Sequence, residues 1–182
     1  IVHWGDGTSN TYPSGGEKTH VYADDHPATG TPSDSFNITV DLVDEDGTHE
    51  DAGTKTITVL NVAPTVTITG VPSAPVEGTP INLTAVVTDP GTDTFTYAWS
   101  VTKGGSPYAT GSDPTFSFTP DDGAATYVVS LTVTDDDTGA GSDTATLAVA
   151  NVPPTIALSG AASVTEGATY TLNLGAITDP GA

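Results

Sequence analysis

The side chains that could do chemistry in this chain are overwhelmingly oxygen ligands, and they fall in short clusters. Asp24 and Asp25 are adjacent, as are Asp121 and Asp122, and Asp135, Asp136 and Asp137 run consecutively. Glu77 precedes a glycine, Asp89 and Asp179 each precede Pro-Gly, and Asn61 and Asn151 each open an Asn-Val-x-Pro segment. Carboxylates gathered in this way can work as an acid and base pair or chelate a hard cation. The first use has little support, because the acids sit among turn residues and no Ser is spaced with a His and an Asp as a nucleophile needs. Lys18, Lys55 and Lys103 are the whole basic complement and arginine is absent, so nothing clamps an anionic substrate. Without cysteine there is neither a thiol nucleophile nor a thiolate metal site. The chain is therefore expected not to be an enzyme.

The 182 residues carry 3 Lys+Arg against 23 Asp+Glu, a formal charge of −20. Such a surface repels phosphate backbones and anionic headgroups, which excludes nucleic acid and anionic lipid as partners. No apolar run approaches the roughly 20 residues that span a bilayer, so no membrane insertion is expected of this segment. If the whole protein is exported, its signal and anchor lie outside these residues. With 20 Gly and 14 Pro, turns are favoured over long helices.

The elements that must position the acids emerge from self-comparison. Asn61-Val-Ala-Pro-Thr65 recurs as Asn151-Val-Pro-Pro-Thr155, and Thr88-Asp-Pro-Gly91 as Thr178-Asp-Pro-Gly181, both about 90 residues later. Trp4 aligns with Trp99, and Asp44-Glu-Asp46 with Asp135-Asp-Asp137. The expected organisation is a partial repeat over 1–60, a complete one over 61–150 and a partial one over 151–182. Within the complete repeat apolar residues alternate, as in Ile81, Leu83, Ala85, Val87; in Tyr97, Trp99, Val101; and in Tyr127, Val129, Leu131, Val133, with Thr and Ser mostly between them. A period of two with β-branched polar residues on the other face predicts strands with one buried and one wet face. About seven such strands per repeat predict an all-β fold of tandem immunoglobulin-like sandwiches.

The first repeat reads Val2-His-Trp-Gly-Asp-Gly-Thr8, then His20-Val-Tyr22, then Phe36-Asn-Ile-Thr-Val-Asp-Leu-Val-Asp44, and resembles the PKD domain, whose signature is Trp/Phe-Gly-Asp-Gly-Thr followed by His-x-Tyr. The second repeat carries Tyr97-Ala-Trp99 in place of the Gly-Asp-Gly turn and is similar to a divergent PKD or bacterial immunoglobulin-like domain. That resemblance implies a spacer, an adhesin stalk or an accessory domain of a secreted hydrolase. Trp4 and Trp99 stand where sandwiches bury a tryptophan and are read as core rather than as sugar platforms. His20 belongs to the structural His-x-Tyr, and with His3, His26 and His49 scattered no zinc site is expected. Asp6 is read as a cap on backbone amides of its turn.

With strands A to G in order, the B–C loop beginning at Asp89 and the F–G loop at Asp135–Asp137 meet beside Asn61, while the A–B turn at Glu77 and the E–F loop at Asp121–Asp122 meet beside Asn151. The first junction between repeats thus gathers Asp24, Asp25, Asn61, Asp89, Asp135, Asp136 and Asp137; the second gathers Glu77, Asp121, Asp122, Asn151 and Asp179. Two carboxylates about 4 Å apart repel by about 4 kcal/mol at an effective dielectric of 20, and a cation reverses the sign. Calcium, which takes six to eight oxygens, is the expected cofactor. The arrangement resembles the calcium sites between repeats of cadherins and large bacterial adhesins. The expected role is a stalk or fibre segment of a long extracellular or cell-surface protein, the alternative an accessory carbohydrate- or protein-binding module of a secreted hydrolase. Ala182 aligns near Thr92 and Ile1 near Thr96, so the tail strands A and B would complete the head strands C to G of a neighbouring copy or repeat. Head-to-tail continuation of this kind builds a linear fibre, by covalent succession in preference to strand complementation.

Overall fold

The computed structural model describes residues 1–25 and 30–181, which form thirteen strands and, among the described residues, no helix. In residues 1–60 these are β1 (Val2–His3), β2 (Ser9–Asn10), β3 (Ser33–Asp44) and β4 (Gly47–Leu60). Seven follow in 61–150: β5 (Thr65–Thr69), β6 (Ile81–Thr88), β7 (Thr96–Lys103), β8 (Ser106–Gly111), β9 (Thr115–Phe118), β10 (Ala125–Thr134) and β11 (Ala140–Val149). The last two are β12 (Thr155–Gly160) and β13 (Leu172–Thr178).

The strands form immunoglobulin-like sandwich sheets. A three-stranded sheet of order β5-β6-β9 and a four-stranded sheet of order β11-β10-β7-β8 make up the middle of the chain. The strand after β7 turns back onto β7 through Gly104 and Gly105, both at positive φ, which is what a tight hairpin needs. In residues 1–60 the order β4-β3-β1-β2 repeats that of β11-β10-β7-β8. β12 pairs with β13 alone.

The alternation predicted from sequence is the alternation observed. Ile81, Leu83, Trp99, Val101, Phe116, Phe118, Tyr127, Val129, Leu131, Val133, Leu147 and Val149 are buried, and the Thr and Ser between them mostly face water. Trp99 donates its indole N–H to the Asp113 carbonyl at 2.8 Å and lies against Phe116, which satisfies the one polar atom of a buried tryptophan.

The Gly-Asp-Gly and His-x-Tyr residues of the first repeat close on one another. Trp4 is buried, stacks on His20 with ring centroids 4.6 Å apart, and donates its indole N–H to Asn10 Oδ1 at 2.7 Å. Tyr22 donates its hydroxyl to the Trp4 carbonyl at 2.7 Å. Asp6 Oδ1 accepts the backbone N–H and the hydroxyl of Thr8, at 3.0 and 2.6 Å, while Oδ2 pairs with His20 Nε2 at 2.7 Å. Burial opposes ionisation of Asp6, but the bonds from Thr8 and His20 outweigh it and hold the carboxyl at about 2. Of the remaining histidines, His3 pairs with Asp41 and His49 with Asp44, and His26 lies outside the described residues.

By packing, the chain divides into two compact units. The first comprises Ile1–Thr67, Val86–Ala98 and Thr132–Asp143; the second comprises Ile68–Ala85, Trp99–Leu131 and the residues from Thr144 onward. Each unit contains one of the two acidic junctions.

Candidate cation sites

At the Asn61 junction, in the first unit, each residue of the F–G acid run has a different task. Asp135 Oδ1 accepts the backbone N–H groups of Asp137 and Gly139 at 3.1 and 2.6 Å, and Oδ2 accepts the Asn61 side-chain amide at 2.9 Å. Asp135 therefore folds its own loop and ties it to the linker. Asp136 accepts the N–H and hydroxyl of Thr94 at 3.2 and 3.1 Å, fastening this loop to the B–C loop. Asp137, fully buried, reaches the first repeat through its Oδ1, which accepts the N–H groups of Gly30 and Thr31 at 2.9 and 3.1 Å.

Oxygens of Asp24, Asp93 and Asp137 converge to within 4.8 Å of one another. Asp25 is 3% exposed beside them, and Asp89 lies in the same loop as Asp93. Asp24 Oδ2, Asp25 Oδ2, Asp89 Oδ2 and Asp93 Oδ2 are sealed from solvent and accept no hydrogen bond from any described residue. A buried carboxylate without a donor is costly, and several together more so. Burial, the contact with the Asp89 carboxyl and the charges of Asp89, Asp24 and Asp136 push Asp93 up to about 7. Burial and the Asp137 charge also raise Asp25. Two carboxylates in contact are both acceptors, so either a proton or a cation must lie between them. A cleft of about 130 Å³, bordered by Asp24, Asp25, Asn61, Asp89 and Gly91 among others, opens here. Donor set and space both fit a hard cation with some of its water.

At the Asn151 junction, in the second unit, the acids separate into two groups. Asp121 and Asp122 are exposed and turn to Lys103, whose Nζ lies 2.8 and 3.4 Å from their oxygens; Asp121 also accepts the Tyr127 hydroxyl at 2.8 Å. The Lys103 and Tyr127 hydrogen bonds lower the Asp121 pKa. Glu77, by contrast, is 2% exposed, and its Oε1 accepts the Val152 N–H at 2.8 Å. Asn151 is exposed on its surface, with its backbone packed against Gly123. Asp179 Oδ1 accepts the Gly181 N–H at 3.0 Å.

Of the acids marked from the sequence, Asp24, Asp25, Asp89 and Asp137 stand at or beside the Asn61 cluster, and Glu77 lies with the Asn151 linker. Asp135 and Asp136 are engaged by Asn61 and Thr94, and Asp121 and Asp122 by Lys103. Asp93 was not among them. Its signal was present, since Asp89-Pro-Gly-Thr-Asp93 returns a second acid four residues after the first, across a turn.

No protein-family model matches the chain and no curated protein matches it. Among solved structures it is similar to the fibronectin(III)-like modules of Clostridium thermocellum CbhA, with a TM-score of 0.39 and 20% identity over 64% of this chain and 62% of theirs. The chain thus matches less than two thirds of that structure's length. The fold assignment rests on strand order and burial.

Proposed function

We propose that the chain is a spacer: a run of immunoglobulin-like repeats, PKD-like in the first, that forms part of the stalk or fibre of a long extracellular or cell-surface protein of the adhesin type. Calcium stiffens it at the Asn61 junction, and neighbouring repeats or copies continue it head to tail. The observation that carries this reading is Asp25, buried with an unpartnered oxygen where Asp24, Asp93 and Asp137 converge. The cluster takes acids from both repeats, so a cation there couples them. Extracellular modules bind calcium at about 0.1 to 1 mM, which suits an exported location.

The accessory-module alternative needs exposed aromatic residues to hold a polysaccharide. Both tryptophans are in cores, and among the described residues Tyr170 is the one exposed aromatic side chain, which weighs against it.

Thermal melts in EDTA and in excess calcium test the reading. At 100 times its dissociation constant calcium adds about 2.7 kcal/mol, a shift of several degrees, and Asp93→Asn should remove most of it. Identical melts, with no heat of calcium binding in calorimetry, would refute the calcium-stiffened spacer.

A further inference from the structure

Glu77 is a buried acid that the Asn61 cluster does not use. Two segments hold it: its N–H donates to the Ala150 carbonyl at 3.2 Å and its Oε1 accepts from Val152, while the N–H of the adjoining Gly78 donates to the Pro120 carbonyl at 2.9 Å. Its Oε2 is sealed from solvent and accepts no hydrogen bond from any described residue. The one basic side chain in this unit, Lys103, is committed to Asp121 and Asp122. No basic side chain of this unit is thus left to pair with Glu77.

The turn that follows β13 closes directly on it. A Cβ placed on Gly181 would lie 2.6 Å from Glu77 Oε2 and 3.0 Å from Oε1, and the atoms nearest to it would all belong to that carboxylate. Only a glycine lets the turn approach so closely, and its backbone therefore lies directly against the Glu77 carboxylate. The same turn brings a second acid, because Asp179 Oδ1 accepts the Gly181 N–H. The Asn61 junction uses an identical turn in an identical sense. There Asp89 Oδ1 accepts the Gly91 N–H at 3.0 Å, and a Cβ on Gly91 would meet Asp93 Oδ2 and lie 3.4 Å from Asp24 Oδ1. In both copies of Thr-Asp-Pro-Gly the glycine turns its bare side toward carboxylates of the junction.

We infer that the Asn151 junction holds its own hard divalent cation, of the calcium type, with Glu77 as anchoring ligand and Asp179 beside it. Asp121 and Asp122 take no part. The inference extends the cation reading to a second place but stands on Glu77 and Gly181, and it is tested apart from the Asn61 cluster.

The test is calorimetric titration of the intact chain with calcium chloride after exhaustive removal of metal, for wild type, Glu77→Gln, Gly181→Ala and Asp93→Asn. Wild type should bind at two sites. Glu77→Gln and Gly181→Ala should each lose one equivalent and keep the other, while Asp93→Asn should lose the complementary one. Glutamine still accepts from Val152 and removes a buried charge, so Glu77→Gln should melt in EDTA no lower than wild type. Gly181→Ala keeps the Glu77 carboxylate but forces it apart from the Asp179 turn. Wild-type stoichiometry and affinity in both Glu77→Gln and Gly181→Ala would overturn the inference and leave the Asn61 site standing. A single wild-type site lost with Glu77→Gln but kept with Asp93→Asn would do the opposite, and no binding by wild type would overturn both.

Discussion

At the scale of single residues, the chain handles its acids in two ways. Some are satisfied by donors, and Asp6 shows the consequence for pH. Its carboxyl ionises more easily folded, at about 2, than at the ordinary 3.8, so the unfolded chain takes up a proton first as pH falls. The stabilisation is complete above pH about 4, on the order of 2 kcal/mol, and is lost between there and pH about 2. Denaturation followed at the Trp4 indole N–H resonance should therefore show wild type losing more stability than Asp6→Asn across that window; parallel pH profiles would rule the contribution out. Other acids depend on close backbone approach. A Cβ on Gly123 would strike the Asn151 backbone and lie 2.5 Å from Glu77 Oε2, neither of which can yield without moving the linker. Gly123→Ala should cost about 1 to 3 kcal/mol, measured by chemical denaturation. A change of less than about 0.5 kcal/mol, the range of an ordinary surface substitution, would show that the junction accommodates it.

At the scale of elements, the decisive units are turns. The strands were legible in the sequence because burial on one face imposes a period of two, and Leu83, Trp99, Leu131 and Val149 lie inside as that period requires. The loops were legible only as neighbours. Strand order says that the B–C and F–G loops meet, but which acid faces a donor is decided by backbone direction within each turn. Hence Asp135, Asp136 and Asp137 look equivalent in sequence, yet Asn61 engages the first, Thr94 the second, and the Gly30 and Thr31 amides the third. The same F–G turn carries Thr138 at φ 74, a conformation a β-branched residue adopts with strain. Thr138→Gly should raise stability by about 1 kcal/mol in chemical denaturation. Loss of stability instead would mean that the threonine side chain, rather than the backbone, sets the loop.

At the scale of the whole molecule, stability is unevenly distributed along the chain. β5 and β6 bury Val66, Ile68, Ile81 and Leu83 at 9, 7, 4 and 1% exposure. In β12 and β13 the corresponding apolar positions lie open, with Ile156, Leu158, Leu172, Leu174 and Ile177 at 43, 58, 51, 66 and 70%. Among the described residues nothing covers the apolar side chains of these paired strands, and two strands alone are marginal in water. Amide hydrogen exchange should run on the order of a thousandfold faster in β12–β13 than in β10, whose alternate residues are wholly buried, because local opening exposes little more apolar surface there than the native state already does. The concentration dependence separates the two forms of head-to-tail continuation. If copies complement one another non-covalently, protection of Leu158 and Leu174 rises with protein concentration; if continuation is covalent, it stays constant at every concentration. Protection in β12–β13 equal to that in β10 at low concentration would show that the hairpin is stable by itself and would count against the proposed head-to-tail continuation.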